Sequence, residues 1–395
     1  MEGMRVIMSI KVRFSCAMIL VATVLGVDLL LHAPAREPAG ALWSATTLVG
    51  KSNHFQLMAQ GRIPMPRGAL VAHASNLLTM PAGHSAGVTA FWFAGDRESA
   101  PNVQIAASQF DRGTQQWSAA RYVVNRHKMG AQLGFGLRRL GNPVSWLDGS
   151  GRIHLFVVAT GLGGWAAARI LHLVQSSVGS SLSELEFEPV RVMPLSWFWN
   201  TSFLVRNAPL LLADGGMVLP VHFELGIKYP VALRFDNAGE FSGMVRMSQR
   251  HYLLQPTILM QTPAEWIALM RDDRPDGKVT VAQTKDNGRH WSDLEDLALT
   301  NPDAALAGMA LAPKHVVLAH NASEHSRAFL DLSISADGLH WASEKVLSHG
   351  SDSDEYSYPA MAWADGSLWV SYTDHRRNIA WQRFASDTTK HGDKP

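Results

Sequence analysis

The sequence predicts an all-β fold made of repeated four-stranded units, with an N-terminal hydrophobic segment in front of it. Three observations lead to this prediction. Short apolar runs alternate with turn-rich stretches, and a turn signal built from Asp, Gly and Trp recurs along the chain. The body, residues 36–395, also divides into six units of about 60 residues, a length that suits a four-stranded repeat.

The N-terminus has the pattern of a targeting segment. Lys11 and Arg13 precede an apolar stretch over residues 14–31, which Asp28 interrupts, and the small residues 33–35 resemble a cleavage site. The stretch is also close to the roughly 20 residues that a spanning helix needs. A signal peptide and an uncleaved membrane anchor both remain open, and either one predicts an exported protein that is periplasmic, secreted or membrane-anchored.

Apolar runs after residue 60 predict the strands. Each run has the length of a strand and several follow an Asp-Gly turn, as in Asp214-Gly215-Gly216. The runs used as examples are Gly87–Phe93, Ile153–Val158, Met217–Phe223, Trp266–Met270, His315–Ala319 and Leu368–Tyr372.

The recurring turn signal predicts the architecture. Thr284–Trp291 has the form S/T-x-D-x-G-x-x-W, and Ser335–Trp341 is the same signal one residue shorter. Looser versions occupy residues 108–117 and 236–241. In such a turn the Asp accepts backbone hydrogen bonds, the Gly allows a positive φ and the Trp packs as a wedge. Six repeats of this kind favour a six-bladed β-propeller.

Composition limits the function. Lys plus Arg number 35 and Asp plus Glu number 34, so the balance argues against a nucleic-acid binder. The single cysteine, Cys16, excludes a disulfide framework and a cysteine zinc site. No cofactor or metal is implied, and a monomer is expected. The predicted organisation is a targeting segment, a linker with the first strand, the propeller and a disordered tail, over residues 1–35, 36–60, 61–386 and 387–395.

An ordered set of motifs accompanies the turns. It comprises His73-Ala74-Ser75, Gly95-Asp96-Arg97-Glu98, Asn142-Pro143, Arg206-Asn207-Ala208-Pro209, Gln255-Pro256, Arg271, Asn321 with Arg327, Glu355-Tyr356-Ser357-Tyr358-Pro359 and Tyr372-Thr373. This set resembles the sialidase (neuraminidase) superfamily, in its BNR-repeat, Asp-box branch. The resemblance implies a six-bladed propeller that removes a terminal acidic sugar from a glycan.

The resemblance also implies roles for single residues. Arg271 and Arg327 match two of the three arginines that hold the substrate carboxylate, a task that suits the guanidinium fork. The position of the first arginine holds His73, whereas Arg62 in Arg62-Ile63-Pro64 falls early. Tyr356 matches the nucleophile, since sialidases use a tyrosine. Further pocket residues implied by the matching motifs are Arg97, Asn142 and Arg206.

Two expected carboxylates are replaced. Gln255 stands where sialidases have the glutamate that assists the tyrosine, and Asn102 stands where they have the acid/base aspartate. Glu224 and Glu355 are candidate substitutes for the glutamate. The candidate substitutes for the aspartate are Asp96, Glu98 and His73.

Three functions therefore remain open at this point. The first is an exo-glycosidase of the sialidase type. The second is a lyase on uronate polysaccharides, in which arginines neutralise the carboxylate while His73 or Tyr356 removes a proton. The third is a non-catalytic glycan-binding propeller. Trp197-Phe198-Trp199 is predicted either to stack against sugars or to fill the core of a blade.

Overall fold

A computed structural model describes residues 15–16, 18–23, 39–44, 54–97, 100, 102–179, 181–274 and 277–386. The chain separates into two units, Met1–Glu37 and Pro38–Pro395. In the first unit residues 18–23 are helical. Over the described part of the chain, no helix is long and apolar enough to cross a membrane. Most of the predicted targeting segment, and the predicted tail over residues 387–395, lie outside the described residues.

Six antiparallel sheets form the second unit, which is an all-β six-bladed propeller. The chain enters through β1 (Phe55–Arg62). Blade 1 contains β2 (Val71–Thr79), β3 (Ala86–Gly95), β4 (Gln104–Asp111), β5 (Gln116–Trp117) and β6 (Arg121–Tyr122). It is followed by the helix α1 (Arg126–Leu133). Blade 2 contains β7 (Arg139–Leu147), β8 (Ile153–Thr160), β9 (Arg169–Gln175) and β10 (Phe187–Val192), with short 3-10 helices at Gly164–Ala167 and Leu182–Glu184.

The second half of the ring repeats this pattern. Blade 3 contains β11 (Phe203–Val205), β12 (Leu210–Leu211), β13 (Met217–Phe223), β14 (Tyr229–Phe235) and β15 (Phe241–Arg246). Blade 4 contains β16 (Leu253–Met260), β17 (Trp266–Asp272), β18 (Thr280–Thr284) and β19 (Ser292–Asp293). Blade 5 contains β20 (Ala307–Ala312), β21 (His315–Asn321), β22 (Phe329–Ser335) and β23 (Ala342–His349). Blade 6 contains β24 (Tyr356–Ala364), β25 (Ser367–Asp374) and β26 (Asn378–Ser386).

The last blade closes the ring with the first strand of the chain. β1 pairs antiparallel with β26, from Phe55 opposite Ser386 to Arg62 opposite Ala380. This pairing leaves neither end of the ring with an open edge. The expected boundary at residue 61 therefore falls inside β1, which starts at Phe55 and belongs to blade 6.

The apolar runs found in the sequence are the second strands of the six blades. They coincide, within three residues at each end, with β3, β8, β13, β17, β21 and β25. These strands are buried on both faces because neighbouring blades pack against them, which is why they are continuous apolar runs. Apolar clusters fill the spaces between blades, with Trp92, Trp266 and Trp369 among the largest fully buried side chains.

The Asp-Gly-Trp turns join the third and fourth strands of their blades. Asp286 accepts from the backbone N–H of Arg289 and His290 at 3.1 and 2.9 Å. Gly288 adopts a φ of +82°, and the Trp291 indole donates to its carbonyl at 3.2 Å. Asp337, Gly338 (φ +74°) and Trp341 repeat these contacts in blade 5. The turns are therefore structural, as predicted.

The two faces of the ring differ in which loops they carry. We call the face with the Asp-Gly-Trp turns the box face. We call the opposite face the site face. It carries the loops that lead into the first, innermost strand of each blade and the loops between the second and third strands. Residues 39–44 run along the box face, where Ala41, Leu42 and Ser44 donate to carbonyls of blades 4, 3 and 5 at 2.8, 2.9 and 3.1 Å.

Candidate active site

Four inner strands carry the same irregularity near the site face. β2, β7, β16 and β24 each contain a register shift with one residue at positive φ. These residues are Ala74 (+54°), Asn142 (+40°), Gln255 (+48°) and Tyr358 (+54°). A bulge of this kind bends the strand and redirects a side chain. Asn142, Gln255 and Tyr358 therefore occupy equivalent positions around the central channel.

Tyr358 is the tyrosine that meets the arginines. The Gln255 amide nitrogen donates to its hydroxyl at 3.2 Å. The Arg206 guanidinium lies 5.0 Å from the centre of its ring. Burial opposes the charge of Arg271, yet its pKa is raised by hydrogen bonds with Asp303 and with the Tyr358 hydroxyl. The hydroxyl is thus held between an amide donor and a guanidinium.

A chain of guanidinium and carboxylate groups extends from this hydroxyl. Arg271 donates to the Gln255 amide oxygen at 3.1 Å and to an Asp303 carboxylate oxygen at 2.5 Å. Arg327 donates to the Asp303 carbonyl at 2.6 Å and lies 3.4 Å from Glu355. Arg376 pairs with Glu355 at 2.7 Å. Three guanidinium groups share two carboxylates, so the cluster is net positive and suited to an anion.

Glu355 is ionised in this setting. Burial opposes ionisation, but hydrogen bonds from Arg376 and Ser357 dominate and lower the pKa of Glu355 to about 2. An ionised Glu355 cannot donate a proton at neutral pH. Its role in the structure is to position Arg327 and Arg376.

His73 lies against Tyr358 from blade 1. Their ring centres are 4.2 Å apart, and the Phe93 ring covers His73 at 5.4 Å. Burial and then the charge of Arg376 lower the pKa of His73 to about 3. Among the described residues its Nδ1 has no hydrogen-bond partner. Burial thus favours the neutral imidazole at physiological pH, which argues against the general-acid role that the sequence allowed for it.

Arg206 connects three blades. It is 1% exposed and donates to the Ser75 carbonyl at 3.2 Å and to the Pro359 carbonyl at 2.8 Å. Burial lowers its pKa to about 10, which leaves it charged. It thus contributes positive charge beneath Tyr358 while holding blades 1 and 6 to blade 3.

Glu224 is a carboxylate on the blade 3 side. Burial opposes its ionisation, but His222, Arg271 and Lys228 lower its pKa. His222 lies 3.2 Å away and is fully buried. Glu224 is therefore close enough to Arg271 for their charges to interact. Its predicted role as a substitute for the missing glutamate stays a prediction.

Tyr356 packs in a different cluster. Its ring contacts His375 at 5.0 Å and Tyr372 at 6.3 Å between ring centres. Burial and the charges of Asp354 and Asp374 raise its pKa. The contacts described for this ring include none of the arginine side chains in the chain of ion pairs. The predicted convergence of Tyr356 with Arg271 and Arg327 is not among these contacts; two residues along the same strand, the Tyr358 hydroxyl interacts with Arg271.

The other acid candidates lie on the site face, in the loop between β3 and β4 of blade 1. Asp96 is exposed, and its backbone N–H lies 3.5 Å from the Asn102 amide oxygen. Arg97 is exposed beside it, and no side-chain contact between Arg97 and the central arginines is described. Among the described contacts none joins Asp96, Arg97 or Asn102 to Tyr358, so their role in the pocket stays a prediction, and Glu98 lies outside the described residues.

Three residues of the central cluster were not assigned to the site from the sequence: Tyr358, Asp303 and Arg376. A signal for Tyr358 was present. Proline follows the bulged residue in Asn142-Pro143, Gln255-Pro256 and Tyr358-Pro359, so the repeated dipeptide marks equivalent positions. Asp303 and Arg376 lie in loops without a repeated pattern. Within the residues that the structure describes, no cluster of three or more His, Cys, Asp or Glu forms a metal site.

One protein-family profile covers most of this chain. The profile of the BNR repeat-like domain matches residues 87–370, most of the chain. The chain belongs to the BNR repeat-like domain family. Curated proteins include no match to this chain.

Solved structures of sialidases share the fold of this BNR repeat-like chain at low identity. The Hadza microbial sialidase Hz136 is 15% identical with a TM-score of 0.67, over 82% of this chain and 68% of that one. The Trypanosoma rangeli sialidase in complex with the inhibitor DANA is 12% identical with a TM-score of 0.63, over 83% of this chain. The match spans 60% of the Trypanosoma rangeli chain, so that enzyme has a large part without a counterpart here.

One solved structure matches the present chain over almost its whole length, but its function is unknown. It is a protein of unknown function from Dyadobacter fermentans DSM 18053, 12% identical with a TM-score of 0.64, over 84% of this chain and 99% of that one. The propeller alone therefore occurs as a whole solved chain. At these identities the likeness establishes the fold, and the activity has to be argued from the site.

Proposed function

We propose that this protein is a sialidase-like glycoside hydrolase that removes a terminal acidic sugar from a glycan. The observation that carries the proposal is the Tyr358 hydroxyl beside the net positive cluster of Arg271, Arg327 and Arg376. The guanidinium groups would bind the sugar carboxylate. Tyr358 would lose its proton and attack the anomeric carbon, so that a C–O bond to the tyrosine forms as the glycosidic bond breaks and the leaving oxygen takes up a proton. Water would then cleave the bond to the tyrosine, which releases the sugar and restores the phenol.

The surroundings of Tyr358 favour slow turnover. Gln255 donates to the hydroxyl and cannot accept its proton. His73 lies against the ring, but a pKa of about 3 makes it a weak base. The surroundings of Tyr358 therefore provide guanidinium groups for carboxylate binding, and only the weakly basic His73 for proton transfer.

A second candidate is non-catalytic binding of an acidic glycan in the same pocket. It is favoured by the Gln255 contact, because an amide in place of a carboxylate removes the base and keeps the hydrogen bond to the tyrosine. In that case the arginines would bind the sugar carboxylate and no bond of the glycan would be broken.

The test is release of methylumbelliferone from a sialoside by the full chain, from acidic to neutral pH. Tyr358→Phe and Tyr356→Phe form a matched pair, since the same hydroxyl is removed two residues apart in β24. We expect slow release that Tyr358→Phe abolishes and Tyr356→Phe retains. Loss in Tyr356→Phe alone would refute the assignment of Tyr358. Saturable binding of sialic acid without release would support the second candidate, and an ultraviolet-absorbing product from a uronate polysaccharide would support a lyase.

We also infer that the protein is exported. The basic residues Lys11 and Arg13 before the apolar stretch 14–31 support this inference. Fractionation of cells that express the full chain tests it, and recovery in the cytoplasmic fraction alone would contradict it.

A further inference from the structure

Six apolar side chains are exposed together on loops of the site face, outside the arginine pocket. The loops join β8 to β9, β10 to β11 and β13 to β14, which are adjacent in blades 2 and 3. Their exposed fractions range from 41% to 92%. We call this surface the apolar rim; its residues are Leu162, Trp197, Phe198, Trp199, Leu225 and Ile227.

Ser202 fixes the three loops relative to one another. It is fully buried and has a φ of +67°. Its N–H donates to the Ala168 carbonyl at 2.6 Å and its hydroxyl to the Ala166 carbonyl, both near the first loop. Its own carbonyl accepts from the Glu224 N–H at 2.9 Å, at the start of the third loop. The rim is therefore one surface, whose large side chains remain exposed although their backbone is well bonded.

A basic flank adjoins the rim. Arg126, Arg138 and Arg169 lie on or next to α1 and the start of β9, and the Arg138 N–H donates to the Thr160 carbonyl beside the first rim loop. Within the described residues, none of these three guanidinium groups is within ion-pair distance of a carboxylate, whereas Lys128 is paired with Glu188. The sequence contains no Asp or Glu from residue 112 to residue 147.

We propose that the apolar rim and its basic flank bind the surface of an anionic lipid bilayer. Exposed aromatic and aliphatic side chains next to arginines are the chemistry that interfacial lipid binding requires. A sugar-stacking surface fits less well. The Trp197 and Phe198 rings are inclined at 57°, so they form no single flat platform, and Leu162, Leu225 and Ile227 offer no aromatic face.

This binding does not depend on the proposed glycosidase activity. It would hold the propeller by one edge of its site face, with the arginine pocket opening beside the lipid surface. The chemistry inside the pocket would remain the same whether or not the rim is engaged.

A probe attached to the rim itself gives the test, because the hydrophobic N-terminus of the full chain could bind vesicles on its own. Cys16→Ser removes the single cysteine. In that background Phe198→Cys carries an environment-sensitive fluorophore on the rim. The matched control carries it at Val178→Cys, a 52% exposed apolar position on the box face. Vesicles of phosphatidylcholine, with and without phosphatidylserine, are then added.

We expect the emission at position 198 to rise and shift to the blue with phosphatidylserine vesicles, and the emission at position 178 to stay constant. Arg138→Gln and Arg169→Gln should each weaken the response about fivefold, and salt should weaken it further. No change at position 198, or equal changes at both positions, would overturn the proposal. A response to a soluble acidic glycan without a response to vesicles would also overturn it, since the rim would then be a sugar subsite.

Discussion

The two walls of the central site differ in how their charges are arranged. On blades 4 to 6, Arg271, Arg327 and Arg376 are fixed by ion pairs with Asp303 and Glu355. On blades 1 to 3 the groups nearest Tyr358 are a neutral imidazole and the buried Arg206. Asp96, the described acidic candidate of blade 1, is exposed on the loop between β3 and β4.

This difference separates the groups that would bind the sugar carboxylate from the groups that would transfer a proton at Tyr358. The wall of blades 4 to 6 is preorganised for a carboxylate, because its guanidinium groups are already oriented by protein carboxylates. The opposite wall supplies no ionisable acid in contact with Tyr358 among the described residues. The groups described around Tyr358 thus suit the binding of an anion, and none of them is a carboxyl group that could transfer a proton.

The largest expected effect is on stability, from Arg206→Met. This change removes the donors to the Ser75 and Pro359 carbonyls and leaves both buried without their partner. We expect the free energy of unfolding to fall by about 3 kcal/mol in chemical denaturation. Arg97→Met, on an exposed loop, is the matched control and should change it by less than about 0.5 kcal/mol. Equal losses in the two variants would contradict the bridging role of Arg206.

The next effect is on ligand affinity. Arg271→Gln removes a guanidinium from the preorganised wall, and we expect the Kd for sialic acid to rise roughly thirtyfold, or about 2 kcal/mol. Arg97→Gln removes the same group from the exposed loop between β3 and β4 and should leave the Kd within about twofold. Titration calorimetry measures both. A larger effect for Arg97→Gln would place the anion site on the other wall.

Gln255→Glu restores a carboxylate next to Tyr358. The new group can accept the tyrosine proton while it keeps its contact with Arg271. We expect kcat on the sialoside to rise about tenfold, since a positioned base contributes at least that much. Unchanged kcat with intact binding would show that removal of the tyrosine proton does not limit the reaction.

At neutral pH the smallest effect comes from His73, whose contribution to stability changes only as the pH falls. Its folded pKa of about 3 lies below the value of about 6.5 in the unfolded chain, so between these pH values the unfolded state binds more protons. Stability should therefore fall as the pH falls through this window, by about 1 kcal/mol per pH unit for this group. His73→Asn should show a shallower slope in denaturation series. Identical slopes would mean that His73 is not buried in the neutral form.

The sequence predicted the fold well because local rules act at each repeat. A fully buried strand needs a continuous apolar run, and each Asp-Gly-Trp turn closes on itself through contacts within a few residues. The ring closure by β1 was harder to place, because it pairs residues more than 300 positions apart.

The site was predicted in part. Gln255 and Arg271 lie in β16 and β17, and Arg327 lies just before β22. The structure links the three through the Gln255 amide and Asp303. The choice between Tyr356 and Tyr358 depended on a bulge that redirects the side chain, and spacing alone does not reveal it. The neutral state of His73 depends on burial among charges from other blades, which no local pattern shows.

The most direct test of this account is a crystal structure of the protein with N-acetylneuraminic acid. We expect the sugar carboxylate to lie within hydrogen-bond distance of Arg271 and Arg327. The Tyr358 hydroxyl should be the tyrosine oxygen nearest the anomeric carbon. A sugar held beside Tyr356 and His375, with its carboxylate away from Arg271, would contradict it.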